Sequence, residues 1–445
     1  MKITVIGTGY VGLVSGVCFS DLGHQVACVD VDMTKIAALR NGNIPIYEPG
    51  LEEMVARNAD AGRLSFTTDL SSAVADSDIV MIAVGTPPRP EDGHADLSYV
   101  HAAAAEIGKA LTGYTVVVTK STVPVGTGDE IERIIRGVNP LADFSIVSNP
   151  EFLREGSAIG DFKEPDRIVI GIHDVRARPF MEELYLPLSS ASILYVSRCT
   201  AELTKYAGNA FLAMKIAFIN EIADLCERTG ADVDEVAKGI GMDSRIGSKF
   251  LAAGPGYGGS CFPKDTMALA RIGQQNNAPM SLVEATIRSN ERRKVSMARK
   301  VLDAAGGSVA GKDIAFLGLT FKAGTDDMRD APSRDIIAIL QEHGARIRAY
   351  DPQGMENAQA CLNDVVYANT AMEAVAEADA VVLVTEWPEF RMLDLAEVAL
   401  SLRSPTIIDL RNMLSSEVMS AQGLDHYPVG KQPVLASTPS MALSA

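Results

Sequence analysis

Short, nearly uninterrupted apolar runs punctuate the first third of the chain. "KITVIG" (2–7), "QVACVD" (25–30), "DIVMIAV" (78–84), "TVVVTKST" (115–122) and "FSIVSNP" (144–150) are rich in β-branched residues and lack strict polar alternation. Strands buried on both faces have this pattern. Helix-patterned segments separate them, which predicts a doubly wound parallel sheet with helices on both faces. "DRIVIGI" (166–172) and "SILYVS" (192–197) continue the series.

The pattern changes at residue 201. The segment 201–230 has no proline, one internal glycine (Gly208) and apolar residues nearly all round. That predicts a long buried helix of roughly 45 Å, ended by Gly230. Helical sequence continues to about 305, broken by a Gly/Pro cluster at 254–263. "AAGGSVAGKD" (304–313) reads as a linker. Beyond it, "DIAFLGL", "ARIRAYDP", "DVVYA", "DAVVLVT" and "TIIDLRN" restore the strand-and-helix alternation. The predicted fold class is α/β: two Rossmann-like doubly wound parallel-sheet domains joined by a mostly helical region with one long helix. The expected boundaries are 1–200 for the first domain, 201–305 for the central one and 311–431 for the second α/β domain. A disordered tail is expected at 432–445, where the sequence is small, polar and Pro-containing.

The 445 residues exceed one core, and the composition is that of an ordinary globular protein. A net charge of −17 argues against nucleic acid as a partner, so an anionic ligand needs local cations and backbone amides. The six cysteines are scattered, without a CxxC pair or clustered His, which argues against a disulfide framework and predicts no metal site. No apolar run reaches a membrane span, and the N-terminus reads as a strand rather than a signal peptide. The expectation is a reduced, cytoplasmic protein with no membrane partner.

"GTGYVG" (7–12) is a GxGxxG between a strand and a helix. Gly7 permits the tight turn, Gly9 lets backbone approach a pyrophosphate, and Gly12 allows close helix packing. The phosphates then meet the positive end of the helix beginning near Tyr10 and Val11. Asp30 closes the second strand, placed to accept bonds from ribose hydroxyls and to repel a 2′-phosphate, so NAD is expected rather than NADP. Lys35 follows it; Thr86 and Thr122 follow later strand ends and are candidates for the same site.

Lys205 and Asn209, four apart, share a helix face as a cation and an amide suited to a developing oxyanion. Cys261 lies in "GYGGSCFPKD" (256–265), among glycines that permit close approach. Oxidation of an alcohol to an aldehyde needs no thiol. Oxidation through to an acid gains from one, because a thiolate traps the aldehyde as a thiohemiacetal, which is oxidised to a thioester and then hydrolysed. Lys205 and Lys264 favour the thiolate if near it. The other five cysteines are assigned to packing.

Four stretches resemble the UDP-glucose 6-dehydrogenases within the UDP-glucose/GDP-mannose dehydrogenase family: "NPEFLREGSAIGDFKEPDRIVIG" (149–171), "ELTKYAGNAFLAMKIAFINE" (202–221), "GPGYGGSCFPKDT" (254–266) and "GLTFKAGTDDMRDAPS" (318–333). The resemblance spans almost the whole chain. It implies oxidation of UDP-glucose by two NAD⁺ and water to UDP-glucuronate and two NADH. Cys261 resembles the nucleophile, and Lys205 and Asn209 the oxyanion-stabilising pair. Asp265 resembles a carboxylate that positions water. Glu151 resembles one implicated in proton transfer and thioester hydrolysis, with Thr122 holding water; the choice of general base between Glu151 and Asp265 stays open. Cofactor positions match Val11, Asp30, Lys35, Thr86, Thr122, Glu155, Lys264 and Arg329. Substrate positions match Glu151, Phe152, Leu153, Arg154, Glu155, Lys205, Asn209, Phe250, Leu251, Ala252, Ala253, Gly254, Gly258 and Lys322.

The first α/β domain is expected to hold NAD and the second the UDP moiety. The family also implies a homodimer, or a higher homo-oligomer, built on the long helix. Arg245 resembles an arginine that reaches the substrate of the other subunit. Ser260 and Phe262 favour UDP-glucose over UDP-N-acetylmannosamine and GDP-mannose, which remain the alternative substrates. A non-catalytic NAD-binding module with a redox-sensing cysteine is the reading from a different class. "HYPVGKQP" (426–433), which includes Lys431 and the edge of the second domain, departs from the family pattern.

Overall fold

A computed structural model describes residues 1–89, 93–188 and 190–436. The chain forms two units: Met1–Gly208 with Met267–Pro279, and Asn209–Thr266 with Met280–Ala445.

The first unit is built on an eight-stranded sheet. Its strands are β1 (Lys2–Ile6), β2 (Gln25–Val29), β3 (Leu64–Thr67), β4 (Ile79–Ile82), β5 (Thr115–Thr119), β6 (Phe144–Ser148), β7 (Ile168–Ile172) and β8 (Ile193–Val196). They lie in the order β3-β2-β1-β4-β5-β6-β7-β8. The expectation of strands buried on both faces holds: Ile79 and Met81 of β4 enter one core, Val80 and Ile82 the other. The order turns back between β1 and β4, which opens a crevice at their carboxyl ends. Pairing is parallel through β6; β7 then meets β6 antiparallel, and β8 runs parallel to β7. The link between β6 and β7 carries only the short helix Ala158–Lys163. An antiparallel return does not require the full crossover that a parallel one does.

The second unit holds a six-stranded, wholly parallel sheet of β9 (Asp313–Leu317), β10 (Arg346–Tyr350), β11 (Val365–Tyr367), β12 (Ala380–Leu383), β13 (Thr406–Asp409) and β14 (Asp425–Pro428). Its order, β11-β10-β9-β12-β13-β14, repeats the reversal of the first sheet. Again the central strand feeds two cores, Ile314 and Phe316 on one side, Ala315 and Leu317 on the other.

β3 and β14 were not legible as strands. "LSFT" is too short for a pattern, and "DHYP" ends in a proline that only an edge strand tolerates. Beyond β14, Lys431 pairs with Asp232 and Asp234 at 3.2 and 2.8 Å. Val434 exchanges backbone hydrogen bonds with His426 at 2.8 and 2.9 Å, so the expected tail is held in place at its beginning. The rest of that tail, 437–445, lies outside the described residues.

The long helix is Arg198–Thr229, and Gly230 ends it at φ 78°. It is not buried all round: Phe211, Phe218 and Leu225 are each more than half exposed. Its apolar residues exceed what this chain alone covers.

Candidate active site

In the first unit, the turn after β1 leads into the helix Tyr10–Asp21. Gly7 has φ 99°, and a Cβ there would lie 2.7 Å from the Ala83 carbonyl oxygen. A Cβ on Gly12 would lie 1.9 Å from the Gly7 oxygen, so Gly12 packs the helix onto the turn itself. A Cβ on Gly9 meets nothing within 4 Å. Gly9 caps the helix without a side-chain hydrogen bond, which leaves the amides of the first turn, Tyr10 and Val11 included, without a side-chain cap.

Asp30 stands at the end of β2. Its Oδ2 accepts from the Thr8 amide (2.9 Å) and hydroxyl (2.7 Å), and Lys35 Nζ lies 3.5 Å away. Burial pushes its carboxyl upward, but the Thr8 bonds and the nearby Lys35 more than offset this and hold it below the usual range. The remaining lone pairs suit ribose hydroxyls. An uncapped helix start, an open Gly9 and an anionic strand end together fit a dinucleotide. Thr86 donates to the Thr122 carbonyl at 2.9 Å, tying the turns after β4 and β5 together.

The Tyr10 side chain has partners of its own. Its hydroxyl bonds to the buried Glu48 carboxylate and accepts from the Gly156 amide at 3.0 Å. Burial and Glu48 push it above the ordinary phenol range. Glu48 also accepts from the amides of Gly156 (2.6 Å) and Ala158 (2.7 Å), fastening the segment that carries Glu155.

Lys205 Nζ lies 3.0 Å from Glu151 Oε1, and both side chains are about 4% exposed or less. Glu151 Oε2 accepts the Leu153 amide at 2.5 Å, and the Phe152 ring faces Lys205 Nζ at 5.4 Å. Arg154 forks onto Asp161. A second buried lysine, Lys120, donates to Asn149 Oδ1 (3.1 Å) and Tyr185 (3.2 Å). Burial pulls it down to about 8; Glu151 opposes this and Lys205 adds to it. Glu202 accepts from the amides of Gly126 (2.7 Å) and Gly128 (2.9 Å) and from Ser148, so it caps the helix Thr127–Val138. A small cavity is lined by Thr122, Ser148, Glu202 and Lys205.

In the second unit, Cys261 stands directly before the helix Phe262–Gln275, and its carbonyl accepts the Asp265 amide at 2.9 Å. The sulfur therefore sits at the positive end of a helix, where an anion is favoured. Asp265 is fully buried. Its Oδ1 is paired with Lys264, and its Oδ2 accepts Asn209 Nδ2 at 2.6 Å. Gly258 is obligatory, since a Cβ there would lie 2.3 Å from the Asp330 oxygen. Phe250 takes φ 64°, a strained conformation for an aromatic residue. Leu251 and Ala253 are buried, Ala252 is exposed, and the Gly254 amide donates to Asn220. Lys322 lies over the Phe321 ring; Arg329 forks onto Asp327. Arg245 is 87% exposed at its side chain and, among the described residues, is held by Asp243.

Lys205 and Asn209 both lie on the long helix, one in each unit. Glu48, Lys120 and Glu202, which sequence reasoning passed over, carry their signal only as isolated charges in apolar surroundings. All six cysteines are free thiols, and among the described residues no cluster of three or more His, Cys, Asp or Glu is placed to hold a metal. No helix among the described residues is long and apolar enough to cross a membrane.

These features are those of a nucleotide-dependent oxidoreductase. The chain belongs to the UDP-glucose/GDP-mannose dehydrogenase family: residues 1–189 match its NAD binding domain, 199–292 its central domain and 315–416 its UDP binding domain. NAD is accordingly its cofactor. It is 60% identical over 435 residues to a UDP-glucose 6-dehydrogenase of Rhizobium meliloti (strain 1021), covering 97% of this chain and 100% of that one. It is 50% identical over 441 residues to UDP-glucose 6-dehydrogenase TuaD of Bacillus subtilis (strain 168), covering 99% and 95%. A solved UDP-glucose dehydrogenase from the archaeon Pyrobaculum islandicum superposes with a TM-score of 0.89 at 41% identity, covering 97% of each chain.

Proposed function

We propose that this chain oxidises UDP-glucose to UDP-glucuronate through a Cys261 thioester. The observation that carries the reading is the placement of Cys261 at a helix start, with the buried Asp265 carboxylate held by Lys264 and Asn209. Plain alcohol oxidation gives such a thiol no task.

Bound NAD⁺ supplies the hydride acceptor, and two equivalents are consumed per sugar. Lys205 and Asn209 stabilise the oxygen on C6 as the alcohol gives up its proton and C6 loses the first hydride, which yields the aldehyde. The Cys261 sulfur adds to the aldehyde carbon, and the carbonyl oxygen takes a proton, which gives a thiohemiacetal. Loss of a hydride and of that proton converts it to a thioester. Water adds to the thioester carbon and the C–S bond breaks, which yields the acid and regenerates the thiolate. Glu151 and Asp265 are the carboxylates available to take the water's proton, with Thr122 holding the water.

Gly7, Gly9 and Gly12 shape the pyrophosphate site. Asp30 and Lys35 take the ribose, and Thr86, Glu155, Lys264 and Arg329 complete the cofactor contacts. Phe152 to Glu155, Phe250 to Gly254, Gly258 and Lys322 contact the sugar nucleotide. A homodimer is supported by the exposed Phe211, Phe218 and Leu225, which recur at heptad spacing on the long helix; Arg245 then serves the other subunit's substrate. Six free thiols support a reducing, cytoplasmic setting.

The test is stoichiometry. Purified protein given limiting UDP-glucose and excess NAD⁺ should release two NADH per sugar and form UDP-glucuronate. One NADH per sugar overturns the four-electron reading. A higher kcat/KM on GDP-mannose or UDP-N-acetylmannosamine overturns the substrate.

A further inference from the structure

The segment leading to Cys261 is held by side chains remote in sequence. The Tyr257 amide donates to Asn290 Oδ1 at 2.9 Å, and Asn290 Nδ2 donates to the Tyr257 carbonyl at 3.0 Å. One carboxamide thus satisfies both backbone groups of a residue, much as a neighbouring strand would. Asn290 is 3% exposed, on the helix Ser281–Ala304. One turn along that helix, Arg293 Nε donates to the Gly254 carbonyl at 2.8 Å, while the Gly254 amide donates to Asn220 Oδ1 at 2.9 Å. Between these two fixed points Gly256 has φ 122°, and a Cβ on it would lie 2.9 Å from Asn290 Oδ1. The other side is equally tight. The Gly259 amide donates to the Arg329 carbonyl at 2.8 Å, and a Cβ on Gly259 would lie 2.7 Å from the Phe321 ring. Asp330 beneath Gly258 takes φ 48°, a strained conformation for a non-glycine residue. The segment is therefore clamped from two directions, with Asn290 as the member nearest the thiol in sequence that bonds through its side chain.

We infer that Asn290 is a positioning residue for Cys261, fixing the backbone four residues upstream so that the sulfur is presented in its reactive place. The inference rests on the reading of Cys261 as the nucleophile. Only a carboxamide of this length offers both the acceptor and the donor. Aspartate keeps the acceptor for the Tyr257 amide and sets a carboxylate against the Tyr257 carbonyl; alanine leaves both groups buried and unpaired. A shift of about 1 Å at a reacting centre costs on the order of 100-fold in rate.

The experiment compares Asn290→Ala and Asn290→Asp with Cys261→Ser and with Val301→Ala, which deletes buried methyl groups from the same helix away from the clamp. Steady-state kinetics, NAD⁺ affinity, Tm and the rate of Cys261 alkylation by iodoacetamide are measured on each. Both Asn290 variants are expected to bind NAD⁺ within about twofold of wild type, to lose on the order of 10- to 100-fold in kcat and to show an altered alkylation rate. Val301→Ala should lower Tm while keeping kcat and alkylation. Wild-type kcat and alkylation in both Asn290 variants overturn the inference. So does a loss of kcat that Val301→Ala shares at equal loss of Tm. If Cys261→Ser keeps full acid formation, the nucleophile reading itself has failed; if it is inactive while the Asn290 variants are normal, only the positioning role has.

Discussion

Asn209 donates its side-chain amide to Asp265 Oδ2 at 2.6 Å, and both residues are buried. The carboxylate thereby has an amide on one oxygen and Lys264 on the other. A buried carboxylate is tolerable only while so satisfied. Asn209→Asp, nearly isosteric, replaces the donor with a second acceptor and sets like charges together. Asn209→Ala only removes the donor. The expected order of kcat is wild type, then Asn209→Ala, then Asn209→Asp, with about tenfold or more between the two variants. If the aspartate variant is the more active, the bond has no part in holding Asp265.

The three glycines of the first loop make separable demands. Gly9→Ala adds a methyl that meets no protein atom within 4 Å, whereas Gly12→Ala drives one into the Gly7 carbonyl oxygen at 1.9 Å. Gly9→Ala should leave Tm nearly unchanged and weaken NAD⁺ binding by about tenfold, because it occupies the approach to the pyrophosphate. Gly12→Ala should lower stability by several kcal/mol, as overpacking against backbone does. Thermal melts and NAD⁺ titrations check both. Unaltered NAD⁺ affinity in Gly9→Ala counts against a cofactor at this turn.

Lys120 gives a pH prediction with a definite sign. Burial lowers it from 10.5 to about 8, so the folded state penalises its charged form. The penalty is full below about pH 8 and fades as pH rises toward 10.5, where both folded and unfolded states lose the proton. A shift of that size corresponds to ~3 kcal/mol. Lys120→Met removes the penalty along with the bonds to Asn149 and Tyr185. The Tm of wild type relative to Lys120→Met should therefore rise steadily between pH 8 and 10.5. A pH-independent difference would mean that Lys120 binds its proton equally well folded and unfolded, so that burial does not shift it.

Cys261→Ser should abolish steady-state formation of the acid while NAD⁺ binding persists, since the substitution lies outside the glycine turn and removes only the sulfur. Isothermal titration and product analysis check the two halves. Undiminished acid formation removes Cys261 from its role.

Much of the first unit was readable because parallel strands announce themselves: Ile79 to Ile82 are all apolar since each faces a core on one side or the other. The glycine turn was readable for a similar reason, as Gly7 and Gly12 obey local steric rules. Glu48, Asn290 and Arg293 were not. Their partners are backbone groups of Gly156, Tyr257 and Gly254, and no local pattern records which distant amide a side chain will meet.

The sequence by itself determined the alternation of strands and helices, the dinucleotide turn, the acidic end of β2 and the thiol among glycines, because each depends on neighbours within a few residues. Only the tertiary structure decided the antiparallel entry of β7, the engagement of Tyr10 by Glu48, the exposed face of the long helix and the clamp on the Cys261 segment. These depend on burial. Desolvation obliges every enclosed polar group to find a partner wherever in the chain one lies, and leaves an apolar face exposed where the chain provides none.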